Sequence, residues 1–123
     1  MTISWVVHVV DDEAAVRDAV VFRLDMKGLR AIAYDGAEDF LARGREIQGV
    51  LLSDVRMPSI NGIELTRTLR RSGSAMPIFL MTGHVSDQLE AGAIDAGADR
   101  VFGKPLTWEL LLDEIARVTK DWR

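Results

Sequence analysis

The chain has 123 residues, 48% of them hydrophobic and 28% charged, with 15 Lys plus Arg against 19 Asp plus Glu, a formal net charge of −4 and no cysteine. That is the length of one domain, long enough to bury a core without a covalent staple, and the absence of cysteine excludes disulfide and thiolate–metal scaffolds. The mild acidity argues against holding nucleic acid or an anionic membrane by bulk charge, which takes a basic patch or tail.

No window approaches the roughly 18 apolar residues of a membrane span. The first apolar run, 5–10, is broken by His8, and the first basic residue is Arg17, too late for the positive start of a signal peptide. The expected location is therefore the cytoplasm.

In chain order, five short apolar, β-branched runs at 5–10, 29–34, 49–53, 77–81 and 99–102 alternate with helical patterns. Strand alternating with helix predicts an α/β fold, a doubly wound parallel five-stranded sheet of (βα)5 type. The helix at 14–27 places Val16, Ala19, Val20 and Leu24 on one face, and Gly28 supplies its stop. The run 29–34 is the most polar and reads as an edge strand. Asp35 with Glu38, and Asn61 with Glu64, have the spacing of capping boxes that start the second and third helices. The runs 50–52 and 78–81 are continuously apolar, as central strands covered on both faces are. Ser86 and Thr107 are the expected N-caps of the fourth and fifth helices. The fifth is amphipathic through Leu110, Leu111, Glu114, Ile115 and Val118. Linkers, repeats and low-complexity segments are absent from the sequence, so residues 1–123 read as one domain.

Polar residues at strand ends carry the chemistry. Asp11 and Asp12, Asp54, Thr82 and Lys104 follow or close the first, third, fourth and fifth strands. In an open parallel sheet these carboxyl ends form one crevice, so the five side chains converge. Two like charges about 4 Å apart repel by roughly 4 kcal/mol at an effective dielectric near 20, so three acids need a counter-ion. One lysine cannot neutralise three carboxylates. An all-oxygen site suits a hard cation such as Mg2+, with Mn2+ as an alternative, and a carboxylate beside the cation and an ammonium can attack phosphorus to form an aspartyl phosphate.

These residues resemble the receiver domain of two-component response regulators, a CheY-like superfamily. The motifs are Val-Val-Asp-Asp-Glu at 9–13, Ser-Asp-Val-Arg-Met-Pro at 53–58 with Gly62, Met-Thr-Gly at 81–83, Gly-Ala-Asp at 97–99 and Gly-Lys-Pro at 103–105. Their flavour is most similar to the FixJ-like branch, whose members often carry a C-terminal DNA-binding domain. The resemblance implies a flavodoxin-like strand order 2-1-3-4-5. It implies that Asp54 accepts a phosphoryl group from a sensor histidine kinase or a small phosphodonor. Asp12 would bind Mg2+ directly, Asp11 largely through water, and Asp54 and the backbone carbonyl of Arg56 would complete the protein ligands. Lys104 would pair with the phosphoryl group, and Thr82 would move toward it as the switch. It further implies a cis Lys104–Pro105 bond, turn-shaping roles for Pro58 and Gly62, and tuning of phosphate lifetime by Arg56 and His84.

Receivers of this kind commonly carry Tyr or Phe three residues before the lysine, where this chain has Val101, while Phe102 points to the opposite strand face. The expectation is a switch with a smaller rearrangement at Val101 and displacement of the fourth helix and fifth strand. His8 reads as a buried histidine satisfied by hydrogen bonds. Trp5, Trp108 and Trp122 read as packing or interface residues.

Three functions compete. The first is a regulatory phospho-acceptor, catalysing only its own phosphorylation and slow dephosphorylation. It would control dimerisation through its fourth helix, fifth strand and fifth helix, and transcription through a separate DNA-binding domain. A variant is a stand-alone phosphorelay carrier. The second is an aspartyl-phosphate phosphohydrolase of the haloacid dehalogenase type, which calls for an Asp-x-Asp pattern on the first strand; here Asp11 and Asp12 are adjacent. The third is a degenerate receiver acting as a constitutive binding module, which would be expected to lack some of the five site residues. No Gly-rich phosphate loop follows the first strand, which leaves nucleotide binding without support.

Overall fold

A computed structural model describes residues 5–119. Five strands alternate with five helices: β1 (Val6–Val10), α1 (Ala14–Met26), β2 (Arg30–Tyr34), α2 (Ala37–Arg43), β3 (Gly49–Asp54), α3 (Gly62–Arg71), β4 (Ile78–Thr82), α4 (Asp87–Ala96), β5 (Arg100–Gly103) and α5 (Trp108–Thr119). The strands are parallel in the order β2-β1-β3-β4-β5, the flavodoxin-like arrangement. β1, β3 and β4 are buried at every residue, as strands covered on both faces must be. β2 is an edge, and its free side is blunted by Arg43, which donates to the Ala33 carbonyl at 3.0 Å while paired with Asp39.

Strand alternation sorts the core into two layers. Val7, Val9, Val50, Leu52, Phe79, Met81 and Phe102 pack against α1 and α5 through Leu24, Leu111 and Ile115. Val10, Leu51, Ile78, Leu80 and Val101 pack against α2, α3 and α4 through Phe40, Leu65, Leu69 and Ala93. Val101 and Phe102 thus occupy opposite layers, as their alternation requires.

Local signals account for most helix boundaries. Gly28, at φ +78°, ends α1. The Asn61–Glu64 capping box is formed in both directions, and Ser86 accepts from the Leu89 amide. α5 begins immediately after Thr107, whose carbonyl accepts from the Leu111 amide. The Asp35–Glu38 box does not form: α2 starts at Ala37 behind an uncapped Gly36, and it is Asp39 that accepts the Asp35 amide. Asp39 lies one turn before Arg43, and their ion pair fixes the carboxylate where it can reach back. Two apolar assignments also shift. Ala19 and Leu110 lie on the solvent side, leaving Val20 and Leu24, and Leu111 and Ile115, as the buried stripes.

His8 is fully buried between β2 and the loop after α2. Its Nε2 lies 3.0 Å from the Ile47 carbonyl, an obligate acceptor, so the proton sits on Nε2 and Nδ1 accepts from the Tyr34 hydroxyl at 2.9 Å. Tyr34 and Phe40 close around the ring with centroids 5.2–5.7 Å apart. Burial holds the imidazole below its ordinary value, only partly opposed by the Ile47 bond. The unfolded chain therefore takes up a proton on His8 before the folded one does, so this group removes stability as pH falls below its unfolded value. Thermal melts from about pH 7.5 to about pH 5.5 should show a falling midpoint, and His8→Leu, although less stable from leaving Tyr34 and Ile47 unpaired, should show a shallower slope. Parallel curves for the two proteins would remove His8 from the account.

Candidate functional site

The carboxyl ends of β1, β3, β4 and β5 meet in one crevice, and each delivers a polar side chain to it. β3 ends in Asp54, 6% exposed. Its place is fixed by the Val55 amide, which donates to the Met81 carbonyl on β4, and by the Ser53 hydroxyl, which donates to the Asp54 carbonyl. The first turn of α3 presses directly on this strand end. A Cβ on Gly62 would fall onto the Asp54 carbonyl oxygen, while the Gly62 amide donates to Val55 at 2.8 Å. Only glycine lets the helix start that close.

β1 runs straight into Asp11, which is fully buried, and Asp12, which is exposed. Asp11 is held from three sides. Its Oδ1 accepts the Glu13 amide at 3.0 Å, its carbonyl accepts from the Arg17 guanidinium at 2.8 Å, and its own amide donates to Tyr34. Arg17 had no signature in the sequence, because its acceptor is a backbone carbonyl. Thr82 ends β4, 1% exposed, with its Oγ1 accepting the His84 amide at 3.2 Å. Its carbonyl accepts the Lys104 amide, which aligns β4 with the turn after β5. The Lys104–Pro105 peptide is cis.

Lys104 reaches across the sheet end. Its Nζ lies 3.2 Å from Asp54 Oδ1 and 3.3 Å from Asp11 Oδ2. Carboxylate oxygens of Asp11, Asp12 and Asp54 all lie within 4.8 Å of one another. Burial, and then the neighbouring Asp11, push the Asp54 carboxyl above its ordinary value, against the pull of Lys104. Burial draws the Lys104 ammonium down, but Asp54 and Asp11 outweigh it and leave it above its ordinary value. One ammonium therefore does not satisfy the cluster. Crowded hard oxygen donors with a carboxylate held partly against ionisation fit a hard divalent cation.

The structure thus gathers Asp11, Asp12, Asp54, Thr82 and Lys104. Arg56 and His84 are exposed on the rim, and Val101 lies buried beneath, on the α4 side. The tryptophans stand apart. Trp5 is half-buried with its indole N–H unpartnered, and Trp108 lies under the Arg23 guanidinium at 4.8 Å. Trp122 lies outside the described residues. Among those residues, no helix is long and apolar enough to cross a membrane.

Similarity decides what kind of site this is. The sequence profile of the response regulator receiver domain matches residues 7–116. The chain belongs to that family. The transcriptional regulatory protein FixJ of Rhizobium meliloti (strain 1021) is 35% identical over 118 residues, covering 95% of this chain and 58% of that protein. FixJ of Bradyrhizobium diazoefficiens is 39% identical over 106 residues, covering 85% of this chain and 52% of that protein. The crystal structure of FixJ-N superposes with a TM-score of 0.87 at 34% identity, covering 97% of this chain and 96% of that one. The chain spans about half the length of these FixJ relatives. As a receiver domain it is a regulatory phospho-acceptor rather than an enzyme acting on an external substrate, and the cluster of Asp11, Asp12 and Asp54 is the acidic site typical of receivers.

Because the buried carboxylates repel, Asp54→Asn in the presence of a chelator should raise stability by on the order of 1 kcal/mol, or roughly 4 °C in the midpoint for a domain of this size. Adding Mg2+ should raise the midpoint of the unmodified protein and leave Asp54→Asn and Asp12→Asn nearly unmoved. A wild-type midpoint unmoved by Mg2+ and equal to that of Asp54→Asn would mean that the cluster carries no excess charge.

Proposed function

We propose that this domain is the phosphorylation-operated switch of a two-component system, with Asp54 as the acceptor. The observation that carries the reading is the placement of Asp54, buried at the end of β3 with one carboxylate oxygen 3.2 Å from Lys104 Nζ and Asp11 behind it. An Asp54 oxygen forms the P–O bond as the N–P bond of a kinase phosphohistidine breaks and the imidazole leaves. Mg2+, or Mn2+ in its place, held by Asp12, Asp54, the Arg56 carbonyl and, through water, Asp11, would offset charge on the transferring oxygens. Lys104 gives up its pairing with the carboxylate to pair with the phosphoryl group. Thr82 turns its hydroxyl from the His84 amide toward a phosphoryl oxygen, and this motion is the switch.

Val101 lies in the same layer as Ala93 of α4, so a displaced Thr82 is read out by α4 and β5 with little side-chain rearrangement at Val101. Exposed Val85 and Ile94 give this face apolar surface for a second copy, consistent with dimerisation through α4, β5 and α5. The kinase docks on the α1 side of the sheet, where an apolar groove of about 580 Å³ between α1 and the turn after β5 opens beside Lys104. Exposed Phe22 and Met26 extend that surface along α1. Arg56 and His84 on the rim tune water access to the phosphorylated Asp54. Both FixJ relatives are transcriptional regulatory proteins and about twice as long as their match to this chain. On that ground the domain serves a cytoplasmic transcription regulator whose DNA contacts lie in a separate C-terminal domain.

Incubation with acetyl phosphate and Mg2+ should add about 80 Da, one phosphoryl group, to the intact mass. Asp54→Ala should abolish the gain, and so should a chelator. A gain that survives Asp54→Ala would move the acceptor elsewhere, and one that survives chelation would remove the metal from the assignment.

A further inference from the structure

α4 is held very differently at its two ends. From Gly83 to Gln88 every residue is exposed, and in the first half of the helix only Leu89 packs inward. The second half buries Ala93 and Ala96 and ends in Gly97 at φ +113°. There Arg70, from the last turn of α3, closes a clamp. Its Nε and Nη2 both donate to the Gly97 carbonyl, at 3.0 and 2.8 Å, and its Nη1 donates to the Ser74 and Met76 carbonyls, at 3.1 and 2.7 Å. Nη2 also meets Asp99 Oδ2 at 3.3 Å, and that carboxylate accepts the Ile78 amide at 2.8 Å. One guanidinium thus ties the end of α3, the loop into β4, the end of α4 and the start of β5 into a single unit. The side chain also packs where Gly97 lacks a Cβ: an added one would sit 2.6 Å from Arg70 Cγ.

We infer that Arg70 is a positioning residue that pins the C-terminal end of α4 at Gly97, so that α4 responds to the switch as a lever, pivoting there with displacement growing toward residues 83–90. The inference rests on the reading of Asp54 and Thr82 given above. The geometry favours a pivot because the clamped end shares charge-assisted hydrogen bonds with three other elements, while the end next to Thr82 is held by little beyond the Ser86 cap. Small alanines on the buried side let the helix tilt without large side chains colliding. Arg70 touches no group of the acidic cluster and takes no part in phosphoryl transfer.

Amide hydrogen exchange with and without beryllofluoride and Mg2+ as the phosphoryl mimic tests this along the helix. In the wild-type protein the mimic should change exchange at 83–90 by roughly fivefold or more and leave 94–98 within about twofold. In Arg70→Met, exchange at 94–98 should rise by roughly tenfold without the mimic, and the mimic-induced change should then spread through residue 98. Arg70→Lys, which keeps the charge but loses the fork, should fall between the two. Acceptance of phosphoryl from acetyl phosphate should be unchanged in both variants. Equal responses at the two ends of α4 in the wild type would overturn the pivot alone, and this holds even where Arg70→Met does not fold. No response anywhere from 82 to 103, with the mimic bound, would overturn the switch reading and the lever with it.

Discussion

Three carboxylates share one crevice with one ammonium, and the rest of the molecule is arranged around that imbalance. Lys104 lies 3.2 Å from Asp54 and 3.3 Å from Asp11, yet Asp54 remains above its ordinary value because burial and Asp11 outweigh the lysine. Crowded without a counter-ion, such acids would move apart or protonate. The fold prevents the first, because Asp54 ends one strand whose every residue is buried and Asp11 and Asp12 follow another. What remains is a site that gains by taking up a cation, and that keeps a carboxylate oxygen available beside an ammonium. A parallel sheet suits this task because its strands all end on the same side.

The scaffold spends its local irregularities at that end. Gly62 lets α3 start on top of β3, the Arg17 guanidinium holds the Asp11 carbonyl, and the Lys104 amide bonds the Thr82 carbonyl. At the opposite end of α4 the constraint is different, with one arginine gathering three backbone carbonyls from the loop into β4 and the end of α4. A rigid cluster at one end of the sheet and a clamped helix end beside it leave the stretch from Gly83 to Gln88 as the least restrained path between Thr82 and the surface.

Much of this was legible in the sequence, for physical reasons that differ by element. β3 and β4 announced themselves because a strand covered on both faces must be continuously apolar, and β2 announced its edge by its polarity. The site residues were legible because acids and a lysine at strand ends have no role in a core. Of the two capping boxes read from spacing, the one at Asn61 forms and the one at Asp35 does not. Spacing alone cannot say whether Asp39 will be drawn to Arg43, nor that Gly36 will precede the helix. Ala19 and Leu110 show the same limit: either fits a helix stripe, and only packing decides which residues face inward. Arg17 and Arg70 left no trace, since Arg17 and most of the Arg70 fork bond backbone carbonyls that any sequence supplies.

Lys104 and a divalent cation compete for the same under-neutralised carboxylates, and calorimetric titration with Mg2+ of the wild-type domain and Lys104→Met distinguishes this competition from independent binding. The wild type should show one saturable site, and binding should be at least several-fold tighter once the ammonium is removed, as expected for a unit charge a few ångströms from the acids. Absence of saturable binding in the wild type, or weaker binding in Lys104→Met, would contradict it.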